Sequence, residues 1–136
     1  MSDTEDDPLE RIVVDKDAVN RERLANAIEG MLGVDGDTGE VVTRPGYHEL
    51  SNKPKFVARL LARRAALELD IIEEDELGDS ASGFAGRMEP SSSTIKNYGS
   101  LDFVANDDEH GGYYIKGHSI GLAIDFLEDV KGDADE

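Results

Sequence analysis

Apolar residues recur at helical spacing in the first third of the chain. We predict a helix from Asp15 or Asp17 to Leu32, with Gly33 as its stop. Its apolar face holds Leu24, Ala27, Ile28 and Met31. Residues 11–14 are predicted as a short strand, and residues 35–40 as a turn between two short extended pieces. This first third of the chain is therefore predicted to contain one amphipathic helix and otherwise only short extended segments and a turn.

The clearest helical pattern runs from Lys53 to about Leu69, and Ser51 or Asn52 begins it. Pro54 falls in the first turn, where a backbone N–H has no partner to lose. Its apolar positions are Phe56, Val57, Leu60, Leu61, Ala65 and Leu67. A basic stripe at i, i+4 and i+8 consists of Lys55, Arg59 and Arg63. The pattern predicts a helix that is buried on one side and positively charged on another.

Shorter elements follow an acidic stretch at residues 73–79. Two short helices are predicted at about 80–88 and 91–99, and then a hairpin with strands 101–105 and 113–116. Ser119 can cap a last helix that runs to Val130. We therefore predict a mainly α fold with a small β-hairpin, in the α+β class. Its parts are an acidic disordered tail (1–10), a helix and β-turn segment (11–50), the principal domain with its C-terminal helix (51–131) and a second disordered tail (132–136).

Charge changes this picture more than any other property. The chain has 31 Asp and Glu against 14 Lys and Arg, a formal net charge of −17, and no cysteine. Disorder is one interpretation of such a charge, but the apolar helices oppose it. The composition resembles that of proteins from extremely halophilic archaea or their viruses, where about 1 M salt screens repulsion beyond roughly 3 Å. The resemblance predicts folding that is favoured by molar salt.

Two stretches of the chain do not have an excess of acidic residues. Residues 44–67 contain six basic side chains and a single acid, Glu49, and residues 80–100 contain Arg87 and Lys96 against Glu89. A polyanion can approach only these stretches. No stretch reaches the roughly 20 apolar residues of a membrane span, and the acidic start lacks the features of a secretory signal. We therefore expect a cytoplasmic protein that has no membrane partner.

Residues 81–100 have the spacing of two helices joined by a tight turn. Ala85 is small enough for a helix crossing, and Phe84 with Met88 points the first helix into a core. Ile95 and Tyr98 do the same for the second helix, which Ser91 can cap. The stretch resembles the twenty-residue helix-turn-helix of bacterial and archaeal regulators. It departs from that pattern at the turn, where Glu89 and Pro90 stand instead of a glycine and an aliphatic residue, and Gly99 ends the second helix early.

The helix before this pair and the hairpin after it extend the resemblance to the winged helix-turn-helix DNA-binding domain, over about residues 53–117. The resemblance implies such a domain as the core of the fold, with additional N- and C-terminal helices. It implies a transcriptional regulator that reads double-stranded DNA with the helix at 91–99. The expected DNA contacts are Lys53, Lys55, Arg59, Arg63, Arg87, Ser91, Ser92, Ser93, Thr94, Lys96 and Asn97. A homodimer is also expected, through Leu122 and Phe126.

The sequence gives weaker support to other functions. A non-catalytic assembly or protein-interaction role, for example in a virus, could use the same fold. The segment 117–121 matches the G-x-S-x-G nucleophile elbow, but no histidine follows Ser119 in the chain. The acids around residues 35–39 lack the later ligands of a calcium loop, so a β-turn is favoured. We therefore predict neither catalysis, nor a metal site, nor a small-molecule cofactor.

Overall fold

Six helices and two β-hairpins make up the fold in the part of the chain that a computed structural model describes. The model gives the backbone of residues 16–134 and the side chains of residues 21–130. The elements are α1 (Lys16–Ile28), β1 (Leu32–Val34), β2 (Val41–Thr43), α2 (Pro45–His48), α3 (Asn52–Glu68), α4 (Ala81–Arg87), α5 (Ser92–Tyr98), β3 (Val104–Asp107), β4 (Gly112–Ile115) and α6 (Ile120–Ala134). The prediction of a mainly helical α+β fold with a small hairpin is confirmed. The predicted tail at 1–10 and strand at 11–14 lie outside the described residues.

Helix α3 is the centre of the core. Phe56, Val57, Leu60 and Leu61 on it are almost completely shielded from solvent. The helix packs against α1, β1, α5, β4 and α6, so elements from both ends of the described chain meet on it. Its predicted start is confirmed, since Ser51 occupies the cap position and Pro54 lies in the first turn. Asp70, just beyond its end, adopts a left-handed conformation with φ of 62° and turns the chain away.

An aromatic cluster joins α3 to the elements that follow it. The ring of Phe56 lies 5.0 Å from Phe84 of α4, 5.7 Å from Tyr98 of α5 and 6.3 Å from Tyr113 of β4, measured between centroids. These spacings are typical of edge-on and tilted aromatic pairs. The predicted inward orientation of Phe84 and Ile95 is confirmed by their burial, and Met88 and Tyr98 pack at the edge of the same core. The positions of α4 and α5 are thus fixed from underneath.

The first hairpin corrects the predicted end of α1. The helix ends at Ile28, not Leu32, and Gly30 rather than Gly33 has the left-handed φ, of 87°. Leu32 instead pairs with Thr43, so that β1 and β2 form an antiparallel ladder. Pairing with β2, which begins at Val41, is more favourable than one further helical turn of α1. The local periodicity of apolar residues contains no information about this non-local pairing. The predicted apolar face of α1 is confirmed, since Leu24, Ala27, Ile28 and Met31 are all buried.

The second hairpin is displaced from its predicted position. Its strands are 104–107 and 112–115, in place of 101–105 and 113–116, because residues 101–103 form turns that follow α5. A single antiparallel bridge adds Asp79 to the outer side of β4: Tyr113 N–H donates to the Asp79 carbonyl at 2.8 Å. The segment that leads into α4 is therefore hydrogen-bonded to the hairpin after α5.

Helix α6 covers the core beside α1. Ala123, Ile124 and Leu127 are fully buried on it. Arg23 of α1 spans the two helices, with its guanidinium 2.7 Å from Asp125 and 3.1 Å from Glu128. The helix continues to Ala134, beyond the predicted end at Val130 and into the predicted tail at 132–136. None of the helices in the described part of the chain is both long enough and apolar enough to cross a membrane.

Candidate nucleic-acid interface and an adjoining arginine pocket

Helix α5 begins at the residue predicted to cap it. Ser91 has an extended backbone, and its hydroxyl accepts the Thr94 N–H at 3.4 Å. Ser80 caps α4 in the same way, accepting Gly83 N–H at 3.0 Å. Such caps favour helix starts because the first turn has N–H groups without carbonyl partners. The turn between these helices differs from one with a left-handed glycine: Met88 is extended, and Glu89 has no left-handed φ.

The outer face of α5 is polar. Ser93, Lys96 and Asn97 are exposed, and we call them the reading face. Ser91 is also exposed, whereas Ser92 and Thr94 are half-buried. Ile95 on the opposite side is completely buried, so the orientation of the helix is fixed by packing. The reading face can therefore meet a partner without rearrangement of the core.

No acidic residue occurs between Glu89 and Asp102. Lys96 is the one charged side chain in this interval. Carboxylates make up nearly a quarter of the whole chain, and α5 carries none of them. The reading face is consequently a place where phosphate groups would not be repelled by neighbours on the same helix.

The predicted basic stripe on α3 does not form one exposed surface. Lys53 is exposed near the helix start. The Lys55 ammonium lies 5.3 Å and the Arg59 guanidinium 5.1 Å from the centre of the Tyr47 ring, which is a cation–π arrangement. Arg59 Nε also donates to the Tyr47 hydroxyl at 2.7 Å. Lys55 and Arg59 are therefore used in part to hold α2 on α3.

Arg63, the last member of the stripe, is bound by two backbone carbonyls. One terminal nitrogen donates to the Gly39 carbonyl at 2.8 Å, and the other donates to the Glu76 carbonyl. Burial lowers the pKa of Arg63, and the charge of Arg87 lowers it further. Arg63 thereby ties the β1–β2 loop and the 73–79 segment to α3. Its predicted contact with DNA stays a prediction.

Arg59 and Arg63 meet Arg87 of α4 around a pocket of about 460 Å³, which we call the arginine pocket. Arg87 forms an ion pair with Asp79 at its margin. Sequence analysis missed this pocket because its wall is assembled from segments that are distant in the chain. The i, i+4 spacing of Arg59 and Arg63 was the only local signal, and it gave no indication of Arg87.

The far side of the second hairpin has the opposite charge. The turn at Glu74–Glu76 and the hairpin tip at Asp108–His110 lie together, with the Gly78 N–H donating to the His110 carbonyl at 2.6 Å. We call this region the acidic end; it comprises Glu73, Glu74, Asp75, Glu76, Asp107, Asp108 and Glu109. A phosphate backbone cannot approach it without intervening cations.

The two motifs that sequence analysis interpreted as structural, at Ser119 and at Asp35, lie in a buried turn and in a hydrogen-bonded turn. Ser119 is buried in the turn that precedes α6, where an exposed nucleophile is not available. The Asp35 carboxylate accepts the N–H groups of Asp37 and Thr38 at 2.8 and 3.0 Å, which lowers its pKa and closes the predicted β-turn. Within residues 21–130 no group of three acidic or histidine side chains is placed to hold a metal ion.

Comparison with protein-family models, with curated proteins and with solved structures gives no match to this chain. The geometry of α5 and of its surroundings is therefore the basis for inferring a function.

Proposed function

We propose that the protein binds double-stranded DNA through the reading face of α5 and acts as a transcriptional regulator. The observation that carries the proposal is an exposed, acid-free helix on a chain of net charge −17. Asn can pair with the edge of adenine, and Lys can reach guanine or a phosphate. Asn97 and Lys96 are adjacent on this exposed face and present both groups to a major groove.

The order of elements supports the same proposal. Helix α3 precedes the pair α4–α5, and the β3–β4 hairpin follows it. This is the order expected from the resemblance to winged helix-turn-helix domains. The buried underside of α5 and the cap at Ser91 hold the helix in one orientation, which sequence reading requires because a side chain must meet one base edge.

The alternative, a non-catalytic assembly role, has less support. The large exposed apolar side chains in the described residues are Val42, Leu69 and Leu122, on three different elements. Phe126, which the dimer prediction required, packs against Phe103 of the same chain at 5.8 Å between ring centroids. The homodimer stays a prediction, with Leu122 as the remaining apolar contact on that side of α6.

The test is selection of duplexes from a random pool in molar KCl, followed by fluorescence anisotropy on the selected sequence. Asn97→Ala is expected to weaken binding by about 1–3 kcal/mol, roughly 5- to 150-fold, and to relax the preference at one base pair. Asn106→Ala is the matched control, since Asn106 is an exposed asparagine on β3 outside the reading face. Failure of any duplex to enrich, or equal binding by Asn97→Ala, Lys96→Ala and the parent, would refute the proposal.

A further inference from the structure

The arginine pocket is built differently from the reading face. Arg59 and Arg63 come from α3 and Arg87 comes from α4, so three arginines from two helices line a single concavity. Val41 and the ring of Phe84 supply apolar lining. A volume of about 460 Å³ falls within the range of roughly 300–1,000 Å³ that is usual for small-molecule sites. The pocket therefore combines cationic groups with an apolar wall.

Hydrogen bonds to protein groups use only some of the N–H donors of these guanidinium groups. Arg59 uses Nε on Tyr47, and Arg87 uses one terminal nitrogen on Asp79. Arg63 uses both terminal nitrogens on backbone carbonyls. Among the residues that the structure describes, the remaining N–H groups of all three have no hydrogen-bond acceptor. A guanidinium has five N–H donors in a fixed plane, so anchored arginines still offer bonds of defined direction.

Three carboxylates, those of Glu40, Glu76 and Asp79, line the pocket together with the three arginines, and two of the three are already engaged in hydrogen bonds. Glu76 is occupied by the Glu73 N–H at 3.1 Å, and Asp79 by the Ser80 N–H at 2.8 Å in addition to Arg87. Glu40, also at the pocket, accepts no side-chain hydrogen bond from the described residues. Burial and the charge of Arg87 lower the pKa of half-buried Arg63, and the charges of Glu76, Asp79 and Glu40 oppose that shift.

We propose that the arginine pocket binds a small organic anion, whose phosphate or carboxylate group contacts Arg59, Arg63 and Arg87 and whose apolar part lies against Phe84 and Val41. Guanidinium groups pair with both kinds of oxyanion through parallel hydrogen bonds. This site goes beyond DNA binding and does not depend on it. A free small anion fits better than a backbone phosphate of DNA because Glu40 and Glu76 would also face the neighbouring phosphates of a duplex.

The experiment titrates the full chain, without DNA, in molar KCl and follows its thermal midpoint and its amide NMR spectrum. Phenyl phosphate and benzoate carry the two anionic groups on one ring, and benzyl alcohol is the neutral counterpart. At least one of the two anions is expected to raise the midpoint in a saturable manner and to shift the amide signals around the pocket. Benzyl alcohol is expected to do neither at the same concentration.

Variants identify the site. Arg59→Gln and Arg87→Gln are each expected to weaken the anion roughly tenfold or more, because a charge-assisted hydrogen bond is lost. Lys53→Gln removes the same charge from an exposed position of α3 outside the pocket and is expected to leave binding unchanged. Glu40→Gln removes a repulsive carboxylate and is expected to strengthen binding. It breaks none of the side-chain hydrogen bonds described above, so it gives a result even if an arginine variant fails to fold.

Three outcomes would overturn the proposal. Neither anion gives a saturable shift, or Lys53→Gln weakens binding as much as Arg59→Gln does, or Glu40→Gln has no effect while both arginine variants are unfolded. A fourth assigns the pocket to DNA instead: Arg59→Gln weakens a selected duplex but leaves phenyl phosphate binding intact. Because the main titration contains no DNA, its failure leaves the proposed function of α5 standing, and failure of that function leaves this site standing.

Discussion

Helix α5 lies in the chain between the two segments of the acidic end, yet the surfaces of the two regions have opposite chemistry. The interval from Pro90 to Leu101 contains no acid, whereas the acidic end gathers seven carboxylates from two turns. Tyr113 lies between the two regions, since its ring packs on Gly99 and the preceding residue, Gly112, pairs with Asp107 of the acidic end. The comparison indicates that in this fold the helix, and not the hairpin tip, is the part that can approach a polyanion.

The largest expected effect comes from removing the Phe56 ring, which contacts aromatic residues of α4, α5 and β4. Phe56→Ala leaves Phe84, Tyr98 and Tyr113 without their common contact and opens a cavity in the core. We expect a loss of about 3–5 kcal/mol in the free energy of unfolding, measured by denaturant titration in molar KCl. Phe56→Leu, which keeps most of the volume, should lose much less. If Phe56→Ala lost less free energy of unfolding than a variant at an exposed site, the aromatic cluster would not be what joins α3 to the later elements.

The next effect concerns the contact between α5 and the hairpin. A Cβ on Gly99 would overlap the Tyr113 ring, so Gly99→Ala should destabilise the fold by about 1–3 kcal/mol. Gly86→Ala is its control, because Gly86 is an exposed helical glycine with open space around an added Cβ. That variant should instead gain about 0.4–1 kcal/mol. Equal responses of the two variants in thermal unfolding would contradict the close approach of Tyr113 to α5.

Salt concentration should affect the stability of the acidic end more than that of other exposed acidic positions. The carboxylates of the acidic end repel one another in dilute buffer, and the repulsion is screened in molar KCl. Asp75→Asn with Asp108→Asn should raise the thermal midpoint in dilute buffer by about 2–4 °C. The control pair is Asp37→Asn with Asp129→Asn, which removes two exposed charges from outside the acidic end. The advantage over this control should disappear in molar KCl; an advantage that persists there would mean that charge repulsion is not its cause.

The smallest effect is a titration at the hairpin tip. His110 donates to Asp107 from its ring at 2.6 Å and from its backbone at 2.8 Å, and Tyr114 donates at 3.0 Å. The side-chain hydrogen bond of His110 is the main reason why the pKa of Asp107 is lowered. A lowered carboxyl pKa stabilises the folded tip above the unfolded pKa of Asp, and that contribution is lost as pH falls through the folded pKa.

His110→Ala should therefore move the pKa of Asp107 upward, toward its ordinary value, and Tyr114→Phe should move it less. Carboxyl-carbon NMR across an acid titration measures both. An unchanged Asp107 titration in His110→Ala would remove the basis for this assignment. The ring of His110 also stacks on Tyr114 with centroids 4.1 Å apart, so the same variant should alter the Tyr114 signals.

Local signals were sufficient for much of this fold. Ser91 caps its helix as predicted, because a hydroxyl acceptor at a helix start acts within three residues. The apolar periodicity of α3 and α6 likewise identified their buried faces. These features depend on neighbours in sequence, and a single sequence contains that information.

The features that sequence analysis missed are non-local. Helix α1 ends early because Leu32 pairs with Thr43, and the arginine pocket brings Arg87 against Arg63 across a turn and an extended segment. The spacing of Arg63 on α3 predicted a solvated basic stripe, but two backbone carbonyls from other segments cover it. Which distant groups cover a charged helix face is decided by tertiary packing, so the spacing on the helix alone does not reveal it.

The central position of α3 has a consequence for how quickly the chain can fold. Its buried side meets α1 and β1 from earlier in the sequence and β4 and α6 from later, so few of its apolar contacts are available locally. Closing the segment between α3 and α6 costs chain entropy before any burial repays it. The pair α4–α5, whose contacts are short-range, can form within that segment beforehand. Refolding after dilution from denaturant should therefore be limited by the docking of α6 on α3, and substitutions in α6 should slow it more than substitutions in α5.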